Sequence, residues 1–105
     1  MRTIQADAYK YSKKRTVQSN ADKYFNRSNL KPRLVERSSR ANKKYMVLDD
    51  NNKIVHFGVS NYEDYTVHKD EQRREAYLKR ATAIKGNWKD NPFSPNSLSI
   101  NLLWQ

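Results

Sequence analysis

The sequence predicts an α+β fold: a small module of a β-hairpin packed by one amphipathic helix and a short C-terminal helix, preceded by a long extended basic N-terminal arm. Three observations carry this reading. The runs KYMVLD and KIVHFGV, rich in β-formers, flank a turn of Asp and Asn. The segment DEQRREAYLKRATAIKG has a capping aspartate at one end and a glycine at the other. All of the net charge lies in the first 44 residues. The domains drawn from this are a basic extended arm, 1–44, and a small α+β module, 45–105.

The arm is defined by charge. The chain has 105 residues, is 36% hydrophobic and 30% charged, and carries a formal +10. Its mean hydropathy is -1.11. The first 44 residues hold thirteen Lys or Arg against Asp7, Asp22 and Glu36, whereas the remainder is balanced, eight against eight. Such asymmetry marks a basic arm attached to a neutral folded part, and predicts an acidic partner. Few aliphatics and no glycine occur in the arm, so most of it is expected to be extended or irregular. A short helix begun by Asn20 would carry Tyr24 and Phe25, and Lys31-Pro32-Arg33 favours extended backbone. Tyr9, Tyr11, Tyr24 and Phe25 among Lys13, Lys14, Arg15, Lys23, Arg27 and Arg33 suit either of two tasks. One is a strap anchored on a protein partner, the other a tether that neutralises phosphates and stacks on bases.

In the module, Asp49 to Asn52 are the expected loop, with Leu48 opposite Lys53, Val47 opposite Ile54 and Met46 opposite Val55. Phe57 and Val55 then share a face with Met46, and Gly58 ends the strand. Asp70 caps the next helix, and Tyr77, Ala81 and Ile84 form the stripe expected to pack on the hairpin. Arg73 and Arg80 flank that stripe and need acids, for which Glu63 and Asp64 are at hand. Ser94-Pro95 starts a short last helix, although Ser97 to Leu102 alternates as a strand would. Trp88, Phe93 and Trp104 are expected to complete the core.

Both histidines and several carboxylates crowd the stretch from Lys53 to Glu71. A metal site on His56, Asp64, His68 and Asp70 lacks diagnostic spacing, and no cysteine is present to supply a thiolate. Catalysis with a histidine base, Asp64 to orient it and Arg80 on a phosphate lacks a nucleophile elbow or a phosphate-cradling glycine loop. The preferred reading is a structural joint of Asp64, Thr66, His68, Asp70, Arg73 and Arg80, with no metal, no cofactor and no small-molecule substrate. Asp64 and Thr66 would bond the irregular backbone there, and Arg73 or Arg80 would pair with Asp64. The absence of a signal core or an apolar run of about 20 residues predicts a soluble chain that is not secreted and does not span a membrane.

The order Val55, Phe57, Gly58, Tyr62, Asp64, Thr66, His68, Asp70, Arg74, Tyr77, Arg80 and Trp104 resembles an uncharacterised family of small proteins from nucleocytoplasmic large DNA viruses. The resemblance spans roughly residues 44 to 104. It departs at Ala81, where the family has histidine, and at Pro95-Asn96, where it has Pro-Gly. It implies a viral setting and no chemistry: a non-enzymatic virion structural protein, a minor capsid or cementing component, whose arm binds other capsid proteins. Its location would be the virion capsid, and the host cytoplasm during assembly. The alternative is a virion protein whose arm binds packaged nucleic acid.

Overall fold

The computed structural model describes residues 11–105 and confirms the α+β class. In chain order the elements are α1 (Lys14–Arg27), β1 (Glu36–Arg37), β2 (Lys43–Leu48), β3 (Ile54–Val59), α2 (Tyr65–His68) and α3 (Glu71–Thr82). A 3₁₀ turn (Trp88–Asp90), α4 (Pro95–Leu98) and a π-helical turn (Ser99–Leu103) complete it. The sheet is antiparallel, in the order β1-β2-β3.

The largest correction concerns the N-terminal part. Residues 14–27 are helical, not extended, and the helix begins at Lys14, well before Asn20. Val17, Ala21, Tyr24 and Phe25 follow i, i+4, i+7, i+8 spacing and are buried on one face. They join Val35, Tyr45, Val47, Phe57, Phe93, Leu98, Leu102 and Leu103 in a single core. A boundary after Lys44 would therefore cut β2 and divide this core. Lys13 offers no capping side chain, and no acid stands in the first turn. The helix thus owes its stability to packing rather than to its own ends. Asn20 serves elsewhere, donating from Nδ2 to the Leu102 carbonyl at 2.9 Å.

The hairpin is shifted by one residue from expectation: Leu48 faces Ile54, Val47 faces Val55, Met46 faces His56 and Tyr45 faces Phe57. The loop determines this. Asp49 N–H bonds the Lys53 carbonyl at 2.9 Å, and the Asp49 carboxylate accepts from the backbone N–H of Asn51 and Lys53. Asn52 takes the left-handed position, φ 60°. Tyr45 and Val47, not Met46, consequently share the core face with Phe57 and Val55. Gly58 lies within β3 at φ 85°, where an added Cβ would stand 3.0 Å from Leu103 Cδ1 and 3.1 Å from Lys44 Cβ.

Asp70 caps α3 as expected, accepting from Gln72 N–H at 2.9 Å and Arg73 N–H at 3.3 Å. The helix stops at Thr82, before Gly86, and Ile84 is 54% exposed. Its stripe does not lie flat on the hairpin. Tyr77 instead stacks on Trp104, ring centroids 4.1 Å apart and planes within 6°, and Arg74 Nε donates to the Trp104 carbonyl at 2.7 Å. The last segment is helical, since the Ser94 side chain accepts from Ser97 N–H with Pro95 in the first turn. Phe93 is buried and Trp104 packs against the core. Trp88 is half-buried and outside it, its indole N–H bonded to the Ile84 carbonyl at 2.7 Å.

Candidate functional site

Asp64 and Lys44 form the centre around which the chain's segments meet. Asp64 is 1% exposed and Lys44 7%. Lys44 Nζ donates to Asp64 Oδ2 at 3.0 Å, to the Tyr11 carbonyl at 3.1 Å and to the Tyr62 carbonyl. Three directions suit an ammonium, which has three protons and no acceptor. Burial lowers the Lys44 pKa, and the adjacent Asp64 carboxylate opposes that fall without cancelling it. The other Asp64 oxygen caps α2, accepting from Thr66 N–H at 3.0 Å and from the Thr66 hydroxyl. Thr66 Oγ1 in turn accepts from Lys13 N–H at 3.0 Å. One ion pair thus ties β2, the loop before α2 and the entry to α1.

Asp64 therefore takes Lys44 as its cation, and neither Arg73 nor Arg80. Arg73 pairs with Glu63 at 3.2 Å, both sides half exposed to solvent, while Arg80 is exposed on α3. His68 Nδ1 accepts from Asp70 N–H at 2.9 Å, and its ring lies against Tyr65 and Trp104. His56 stands apart on β3, its Nδ1 2.7 Å from Ser38 Oγ. Among the described residues no group of three or more His, Asp or Glu side chains is arranged to hold a metal ion. Lys44 was not expected to be a central residue. Its signal was the glycine at 58, whose missing side chain leaves room for the lysine stem.

Beside this pair opens a groove of about 870 Å³ between β3, α3 and the C-terminal turn. Val59, Tyr62 and Ile84 line it and are exposed by 57%, 67% and 54%. A second apolar area lies at the hairpin end, where the cross-strand partners Leu48 and Ile54 are 46% and 56% exposed.

The predicted arm residues do not share one environment. Tyr9 lies outside the described residues. Tyr24 and Phe25 are core residues, which removes them as anchors or stacking platforms. The Tyr24 hydroxyl is also committed, donating to the Pro92 carbonyl at 2.8 Å. Arg33 is turned inward: its guanidinium lies 4.5 Å from the Phe93 ring centroid and bonds the Leu48 carbonyl and Asp50. Tyr11 contributes its carbonyl to the Lys44 site. Lys14 is half-buried, whereas Lys13, Arg15, Lys23 and Arg27 are exposed. Arg15, Lys23 and Arg27 fall on one i+4 ridge, opposite the Val17–Ala21–Phe25 face. Arg27 also reaches Asn101 at 2.9 Å.

The fold and these surfaces define a small α+β domain with a cationic helix face and a buried structural ion pair. Residues 34–81 are similar to a Family of unknown function (DUF5754), covering β1 to β3, α2 and all but the last residue of α3. No curated protein and no solved structure matches the chain.

Proposed function

We propose that this chain is a non-enzymatic structural protein that docks on an acidic neighbouring protein through the cationic face of α1. In the setting implied by the viral resemblance, it is a minor capsid component of a virion. The observation that carries the reading is the division of α1. Val17, Ala21, Tyr24 and Phe25 are buried while Arg15, Lys23 and Arg27 share an exposed ridge. A rigid ridge presents its cations at less entropic cost than a free strap.

Exposed aliphatic pairs favour a protein partner over a nucleic acid. Leu48 with Ile54, and Val59 with Ile84, combine with cations as contact surfaces between proteins do. Tyr24 and Phe25, two of the aromatics that would have stacked on bases, are inside the core. Packaged DNA is the second reading, and the +10 charge favours it.

A photo-crosslinking side chain at position 23, carried by the protein in assembled particles, tests this directly. Crosslinks to a capsid chain support docking, and crosslinks confined to DNA contradict it. In solution, duplex binding that falls steeply between low and physiological salt and is lost in the Arg15→Gln/Lys23→Gln/Arg27→Gln variant would support the second reading.

A further inference from the structure

A second concave feature lies across Lys44 from the groove. Between the N-terminal segment and the β1–β2 turn is a pocket of about 180 Å³ with mainly polar walls. Arg37, Arg40 and Lys43 line it together with Ser12, Ser38 and Ser60. Among the described residues, no aspartate or glutamate lines it.

Three cations sharing a pocket repel one another, and such an arrangement is ordinarily relieved by a carboxylate. Here the ion pairs of the described residues go elsewhere: Arg33 with Asp50, Lys44 with Asp64, Arg73 with Glu63 and Arg74 with Glu71. Arg37, Arg40 and Lys43 are in none of them. The turn that carries them is nonetheless ordered by its own bonds. Arg40 N–H donates to Ser38 Oγ at 2.9 Å, Lys43 N–H to the Arg40 carbonyl at 3.2 Å, and Ser38 N–H to the Lys44 carbonyl at 3.0 Å.

We propose that this pocket binds a single tetrahedral oxyanion of the phosphate class, held by Arg37, Arg40 and Lys43. Guanidinium forks match phosphate oxygens, and serine hydroxyls supply further donors. The volume is below the roughly 300 Å³ at which drug-sized ligands are usually held, which fits one ion or monoester head rather than a nucleotide. The field at the pocket's edge agrees. His56, bonded to Ser38, has its pKa lowered by burial and further by Arg40 and Lys43. The site is separate from the α1 ridge, so it stands or falls independently of the docking proposal.

The test is a titration of the full chain with inorganic phosphate and with O-phosphoserine, at constant ionic strength, followed by amide NMR. Saturable shifts are expected at Ser38, Arg40 and Lys43. Arg40→Gln and Arg37→Gln should each weaken binding about tenfold, the loss of one charge-assisted hydrogen bond. Lys79→Gln, the same charge change on exposed α3, should leave it unaltered. Tighter binding of O-phosphoserine identifies a monoester, and equal or tighter binding of inorganic phosphate identifies the free ion; both support the site. Shifts that never saturate, or equal weakening by Lys79→Gln, would overturn it. Both arginines are exposed, and unchanged melting of the two variants confirms that folding is intact.

Discussion

Replacing Asp64 by Ala removes three interactions at once: the charge partner of Lys44 and the two Thr66 bonds that cap α2. Breaking a buried ion pair from one side costs about 3–5 kcal/mol, because the other charge is left without compensation. The Tyr11 and Tyr62 carbonyls still accept from Lys44, so the lower end, about 3 kcal/mol, applies here. Losing the helix cap adds about 1 kcal/mol. A total of about 4 kcal/mol is a large share of the 5–15 kcal/mol that holds a typical domain. It corresponds to a fall in Tm of about 15–20 °C for a chain of this size. Thermal melts by circular dichroism measure it, and a cycle with Lys44→Met isolates the pair. The double variant should recover much of the loss, since an apolar side chain needs no counter-charge. A Tm within about 3 °C of the parent, or strictly additive effects, would refute the central role given to this pair. Arg73→Gln is the comparison: its exposed bond to Glu63 should be worth no more than about 1 kcal/mol.

Further outcomes follow from the same geometry. Gly58→Ala should destabilise by at least about 1–2 kcal/mol, combining positive φ with contacts to Leu103 and Lys44, and by more than Gly86→Ala, whose Cβ would meet nothing within 4 Å; urea midpoints decide the order. Tyr45 is pushed up to about 12 by burial, so the folded state holds its proton where the unfolded chain loses it near 10. Stability should therefore fall across that window by about 2–3 kcal/mol, and Tyr45→Phe should remove this part of the fall in alkaline melts. His68 is lowered, chiefly by burial, so the unfolded chain binds the proton more readily. Its contribution is present above the ordinary histidine range and is lost as pH falls through the folded pKa, which His68→Gln should flatten in acid unfolding curves.

Much of the module was legible because its signals are local. Asp70 and Ser94 are capping residues followed by helix formers, and the two β-rich runs surround a turn of Asp and Asn. The strand register was not legible, since it depends on Asn52 adopting positive φ and Asp49 bonding back to Lys53. Nor was the partner of Asp64. Arg73 and Arg80 had the right charge and helical spacing, but Lys44 comes to Asp64 from β2, with Gly58 leaving space for its stem. In the N-terminal part, the Val17, Ala21, Tyr24, Phe25 spacing was present. Charge density obscured it, because Lys13 is no cap and the first turn has no acid. The cations that suggested a solvated strap are the outer face of a helix whose inner face is core. Of the residues named for the arm, Arg15, Lys23 and Arg27 lie on the surface, while Tyr24, Phe25 and Arg33 serve the fold.

That the basic segment is a folded helix with one cationic face, rather than a free arm, is open to a single measurement. Backbone amide hydrogen exchange on the full chain should show Ala21, Tyr24 and Phe25 protected as strongly as Tyr45 and Phe57, because all belong to one cooperative core. Exchange at unfolded-chain rates throughout residues 14–27, with the hairpin still protected, would contradict it.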